Sequence, residues 1–234
     1  MTLIANWKLG ENPAIHGTTL VDTTGNYDMT LNTGDGSTNK SITGKNNNAV
    51  DFDGNNDYAK HTSQIVNSPT SLTICGWIKK ETDGGSYECA LHHATAATIG
   101  SSSYWFGVDI NNNLCNTIGA STGVGWSAGN TNIQAVYGTW YHLMSIWDGS
   151  TVKVYVDNVL KVTYTLTTYN SVDYPTRIGG SADGTNYQFR GAIEDVRIYD
   201  NALTDSERTE VFEGSNPATI TGASTITGAL TITI

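Results

Sequence analysis

The sequence predicts an all-β chain: an antiparallel two-sheet β-sandwich jelly roll with one short C-terminal helix and a β-prone repeat tail. Three observations predict it. Apolar and polar residues alternate with a period of two along most of the 234 residues. Clusters of Gly, Asn and Asp interrupt that alternation at spacings of about ten residues. Thr, Gly, Asn and Ser dominate where a helical protein would carry Ala, Glu, Lys and Leu.

The elements follow in order. Strands are expected in LIANWK from Leu3, AVDFDG from Ala49, SLTICGWIKK from Ser71, SYWFGVDI from Ser103, WYHLMSIWDG from Trp140, TVKVYVDN from Thr151, VLKVTYTL from Val159 and YQFRGAIEDVRIYD from Tyr187. Asp148-Gly149-Ser150 and Asp157-Asn158 read as tight hairpin turns, because Asp, Asn and Gly accept the positive φ such turns demand. They make Trp140 to Thr165 a three-strand meander. Tyr141, Leu143, Ser145 and Trp147 then share one face, and Trp140, His142, Met144 and Ile146 the other. Thr204-Asp205-Ser206-Glu207 is a capping box that opens a helix of about ten residues, ended by Gly214 and Pro217, with Val211 and Phe212 packed on the body. The jelly roll spans residues 1–214. Residues 215–234 are a tail whose hexads TITGAS, TITGAL and TITI set Thr against Ile. Such a tail has no core of its own and needs a partner surface, either copies from other subunits or a sheet edge of this domain or a neighbour. Ile220, Ile226, Leu230 and Ile232 are its candidate oligomerisation residues, and a homotrimer is the expected assembly.

Charge narrows the partners. Twelve Lys and Arg stand against 22 Asp and Glu, a formal charge of -10. The bases are scattered, so no nucleic-acid or anionic-membrane partner is expected, since either needs clustered cations to displace counterions. No run approaches the roughly 20 apolar residues of a membrane span, and MTLIANWKLGEN lacks the basic start and apolar core of a signal peptide. Cys75, Cys89 and Cys115 are odd in number and show no CxxC spacing, which fits small buried thiols better than a disulfide framework.

The run Thr139-Trp140-Tyr141-His142, Asp148-Gly149, Lys153 to Asn158, Arg177-Ile178-Gly179, Phe189-Arg190-Gly191-Ala192-Ile193-Glu194-Asp195-Val196-Arg197-Ile198-Tyr199 and Ala202 to Glu207 resembles the laminin-G-like jelly roll of the concanavalin A-like lectin/glucanase superfamily. So do Asn6-Trp7-Lys8, Val21 to Asn26, Ala49 to Tyr58 and Leu72 to Ile78. The likeness covers residues 1 to about 213 and departs little: Asn158 replaces a turn glycine, and Cys75 a small residue. The resemblance implies a structural Ca²⁺, held here by Asp22, Asn26 and Asp195, with backbone carbonyls near Asn48 completing the oxygen shell.

Glucanases of that superfamily set closely spaced acids on one strand. This chain has no such pattern; Glu194 and Asp195 are adjacent and expected on opposite faces, and the five histidines form no triad motif, so no enzyme activity is expected. A ligand, if the sandwich binds one, is expected to be carbohydrate. The loop Gly123 to Asn130 presents Trp126 among small residues, with Asn130 beside it and Tyr104 and Trp105 on the preceding strand as neighbours. Two functions stand: a surface-exposed virion protein (a phage capsid decoration, head fibre or tail fibre component) joined to a neighbouring virion protein or to itself through the tail and adhering to host glycans, or a carbohydrate-binding module of a bacterial extracellular or surface protein.

Overall fold

The period-two runs become the strands of two stacked antiparallel sheets. The computed structural model describes residues 2–36, 38–94, 102–119, 125–169, 171, 173–181 and 186–214. Within them the strands are β1 (Leu3–Trp7), β2 (Thr19–Leu20), β3 (Met29–Asn32), β4 (Ser41–Thr43), β5 (Asn48–Asp53), β6 (Tyr58–His61), β7 (Leu72–Lys80) and β8 (Glu88–Ala94). There follow β9 (Ser102–Val108), β10 (Asn113–Ile118), β11 (Asn130–Gln134), β12 (Trp140–Trp147), β13 (Thr151–Val156), β14 (Val159–Thr165), β15 (Thr176–Ile178) and β16 (Arg190–Tyr199), then the helix α1 (Asp205–Phe212). The first sheet runs β14-β13-β12-β7-β16-β5-β4, with β1 also on β16; the second runs β11-β10-β9-β8-β15-β6-β3-β2.

Alternation decides which face each side chain takes. Leu143 and Trp147 of β12, Ile74 and Ile78 of β7, and Tyr104 and Phe106 of β9 meet between the sheets. On the outer side of the first sheet, Cys75, Met144, Ile146 and Tyr155 form a second apolar layer, sealed by Leu203 and by Val211 of α1. The capping box is present: Glu207 N–H donates to the Thr204 hydroxyl, and the Glu207 carboxylate accepts from Thr204 N–H at 2.7 Å. Phe212 stacks on Trp77 at 5.5 Å and lies 5.6 Å from the ring of His142. The meander turns as expected, with Asp157 at φ 48 and Asn158 at φ 64. All three cysteines are buried and form no disulfide.

One expectation fails. The register between β16 and β7 shifts between Glu194 and Arg197, and Asp195 sits at φ 53, the geometry of a β-bulge. The extra residue breaks the alternation, so Glu194 and Asp195 both leave the outer face, where Arg197 also lies, instead of diverging. Each takes its own partners. Glu194 closes the turn before β5, accepting from the backbone N–H groups of Lys45, Asn46 and Asn47. Among the described residues no helix is long and apolar enough to cross a membrane. The tail, with Ile220, Ile226, Leu230 and Ile232, lies outside the described residues.

Candidate functional site

The outer face of the second sheet carries the unusual chemistry. Pairing places Lys60, Arg177, His92, Trp105 and Thr117 side by side across β6, β15, β8, β9 and β10. Trp105 is wholly buried in this row, in an apolar cluster with Cys89 and Cys115. Three half-buried rings pack over it. Tyr87 is the hub, edge-on to Trp105 at 6.4 Å, to Trp126 at 4.4 Å and to Tyr187 at 6.1 Å. The indole N–H of Trp105 finds no acceptor among the described residues, an orphaned buried donor at the base of the cluster.

Each ring has its own support. The turn bearing Trp126 is pinned to β10 by Thr117, whose hydroxyl donates to the Trp126 carbonyl at 3.0 Å and accepts from Gly129 N–H at 3.2 Å. A Cβ on Gly129 would run into the Asn116 carbonyl, so only glycine lets that turn lie this close. Tyr187 is held at φ 51, a region side chains other than Asn, Asp and Gly seldom occupy, and its carbonyl accepts from Cys89 N–H at 2.9 Å. Tyr87 precedes Glu88, whose buried carboxylate gathers the Lys80 ammonium, Gly84 N–H at 2.8 Å and Arg190 N–H at 2.8 Å. Burial, and behind it the nearby charge of Asp109, raises the Tyr87 phenol above its ordinary value.

The four residues expected to bind ligand separate. Trp126 is at the surface cluster, and Trp105 lies beneath it as the base rather than as a contact. Tyr104, one residue along the strand, points the other way into the core, stacked on His93 with its hydroxyl 3.2 Å from Thr176; alternation removes it from the site. Asn130 is committed elsewhere, its amide donating to Asp109 in the β9–β10 turn at 2.7 Å and its oxygen accepting from Asn132 N–H at 2.8 Å. Tyr87 and Tyr187 escaped the sequence reading. Each is the first aromatic after a small polar run, Gly84-Gly85-Ser86 and Gly184-Thr185-Asn186, much as Trp126 follows Gly125, and that shared pattern was the available signal.

The calcium ligands do not fit a metal. Asp22 is a buried hub: its carboxylate accepts from Asn6 N–H at 2.8 Å, Thr24 N–H at 3.1 Å, Asn26 N–H at 3.2 Å, Tyr27 N–H at 3.1 Å and the Thr24 hydroxyl. Five donors exhaust about four lone-pair positions. Burial works to raise its pKa, yet these hydrogen bonds prevail and hold it below the ordinary carboxylate range. The Asn26 amide donates to the Thr24 carbonyl. Asp195 faces cations already: Arg197 Nε at 2.9 Å and Nη2 at 2.6 Å, Lys8 Nζ at 2.9 Å, with the Asn6 amide at 2.7 Å. Burial again opposes, and here Arg197 and Lys8 outweigh it, holding Asp195 below its usual range. Asn6 joins the two carboxylates through its N–H and its amide. Among the described residues no three of His, Cys, Asp or Glu are placed to hold a metal ion.

A family model described as the concanavalin A-like lectin/glucanases superfamily, of laminin-G-like type, matches residues 53–207, well over half of the chain. A search of curated protein sequences finds no match. Among solved structures, the chain is similar to domain 4 of an extracellular arabinanase from Geobacillus stearothermophilus in complex with arabinotriose, with 24% identity and a TM-score of 0.64 over 90% of this chain and 98% of that one. It is also similar to the binding domain of Paraclostridial Mosquitocidal Protein 1 (15% identity, TM-score 0.64, 91% of this chain and 52% of that). Trypanosoma rangeli sialidase resembles it at 13% identity and TM-score 0.58, over 90% of this chain and 32% of that. At such identities these likenesses establish the fold alone. With its two antiparallel sheets, the late strand Gly191 to Tyr199 and the matched family model, the chain belongs to the concanavalin A-like lectin/glucanases superfamily.

Proposed function

We propose that this jelly roll is a non-catalytic carbohydrate-binding domain that stacks sugar rings on Tyr87, Trp126 and Tyr187. The observation that carries the reading is the grouping of these three half-buried rings over Trp105 on one sheet face. Sugar rings present an apolar face of C–H bonds that aromatic surfaces bury, and a rim of hydroxyls that polar groups meet. The arabinanase domain, a similar sandwich solved with an oligosaccharide, supports the same reading.

The non-catalytic half of the proposal rests on where the acids go. Glu194 holds a turn, Asp195 faces Lys8 and Arg197, Glu88 faces Lys80, and Asp35, Asp53 and Asp57 converge on Lys40 at 3.1, 2.7 and 2.9 Å. Each of these is committed to an ion pair or a turn, which supports a role other than the acid or nucleophile of a two-carboxylate mechanism. For the place of work, the proposal extends to display on a surface, that of a virion or of an extracellular assembly.

Calorimetric titration with neutral oligosaccharides, arabinotriose among them, tests the proposal on the full chain and on Tyr87→Ala, Trp126→Ala and Tyr187→Ala. Each variant should weaken binding at least tenfold, in keeping with about 1.4 kcal/mol per lost stacking contact, with the melting temperature little changed. Affinity untouched by all three variants, or no binding to any sugar tested, would overturn it.

A further inference from the structure

The first sheet ends in an open edge that matches the tail. β14 is its outermost strand and pairs with β13 alone among the described residues. It is mostly exposed, Val159 by 54% and Leu160 by 48%. A free edge of this length presents unpaired backbone groups, which proteins ordinarily shield with charge, proline or a covering segment. The single charge on β14, Lys161, is the extra residue of a bulge: Val154 pairs with Val162 and Tyr155 with Leu160. Beyond that bulge, Val162 and Tyr164 face the core and remain partly buried, while Thr163 and Thr165 face outward.

We propose that the chain's own tail adds to this edge as a further antiparallel or parallel strand, within residues 219–234. Three observations on separate parts of the molecule agree. The first is side-chain pattern. The tail's hexad has an even period, so in an extended strand Ile220, Ile226, Leu230, Ile232 and Ile234 share one face, and Thr219, Thr221, Thr225, Thr227, Thr231 and Thr233 share the other. Laid beside β14, the apolar face continues the row of Val162 and Tyr164, and the threonine face continues Thr163 and Thr165, a favourable cross-strand pairing.

The second is position. Helix α1 lies across the β13–β14 turn: Thr209 accepts from the Asn158 amide at 3.3 Å, and Arg208 donates to the Asn158 carbonyl at 2.7 Å. The helix ends with Phe212 over Trp77 and His142, on β7 and β12. From β12 to a strand beyond β14 is three strand spacings, about 14 Å. The third is length. Residues 215–218 extend to about 14 Å, and the 16 residues beyond them far exceed what a seven-residue edge needs. A tail tethered this close meets its own edge at an effective concentration no second copy matches in dilute solution.

Amide hydrogen exchange on the full chain is the test, read at residues 159–165. Alternate amides of β14 should exchange about 100-fold more slowly than a free edge, equally at high and low protein concentration, and the protection should vanish in Thr225→Pro and Ile226→Asp while β12 and β13 keep theirs. Fast exchange of β14 in the unaltered chain overturns the proposal. So does protection that survives both variants, because something other than the tail then covers the edge. Protection lost on dilution would also overturn it, by assigning the edge to the tail of another copy.

Discussion

Replacing His142 by Phe should remove much of the protein's sensitivity to mild acid. The imidazole is buried beneath α1, 5.0 Å from the ring of Trp77 and 5.6 Å from that of Phe212. Burial presses its pKa from 6.5 down to about 3, the Asp195 charge opposing and the Arg197 charge adding to the fall. The folded protein therefore keeps this histidine neutral where the unfolded chain protonates it. Its contribution is complete above pH 6.5 and is lost as pH falls toward 3. Linkage over that interval gives about 2.5 kcal/mol lost between pH 7.5 and pH 4.5 from this one group. Urea melts of the unaltered chain and of His142→Phe at both pH values measure it, Phe being close in size and free of charge. The unaltered chain should lose about 2.5 kcal/mol more than the variant on acidification. Equal losses would show that His142 titrates as it does in the unfolded chain, and the buried aromatic setting described for it would be wrong.

Three further outcomes follow from the structure. Asp195→Ala removes the carboxylate that pairs with the buried Arg197 guanidinium and should cost about 3–5 kcal/mol in denaturant melts, whereas excess calcium or chelator should leave the melting temperature of the unaltered chain in place; a rise in calcium would restore the metal to the Asp22 and Asp195 node. Gly129→Ala drives the Trp126 turn off β10 and should lower sugar affinity at least tenfold, with a shift in tryptophan emission; an unchanged titration would detach Trp126 from the binding face.

The fold was legible because its rules are local. A two-residue period, Asp-Gly and Asp-Asn turns and a Thr-x-x-Glu cap each act within a few residues, and β12, β13, β14 and α1 fall where those signals place them. The site was less legible because it is assembled across the chain. Tyr87, Trp126 and Tyr187 come from three separated loops, and nothing in a single loop tells that the rings meet. Tyr104 was misplaced by neglect of a local rule, since adjacent strand residues cannot both reach one face. The bulge at Asp195 is a different matter. Aspartate tolerates positive φ but does not require it, so the sequence around Glu194 reads equally well with or without the extra residue. The two basic partners of Asp195 lie on opposite ends of the chain or on the same strand, and only the pairing of β1 with β16 brings Lys8 to it.

That central place of β16 governs when the protein can exist during its synthesis. β16 stands between β7 and β5 and also carries β1, so the first sheet is three unjoined pieces, β14-β13-β12-β7, β5-β4 and β1, until residue 199 has been made. At about 5–20 residues per second a ribosome needs roughly 6–24 s to go from the end of β7 to the end of β16. Throughout that interval β7 has bare backbone on the side where β16 belongs, and β1 has no partner in its sheet. Folding is therefore a late, nearly all-at-once event dominated by contacts between distant parts of the chain, the slow regime for a β-sandwich. A cell making this protein must keep nascent chains apart until the last strand closes the gap.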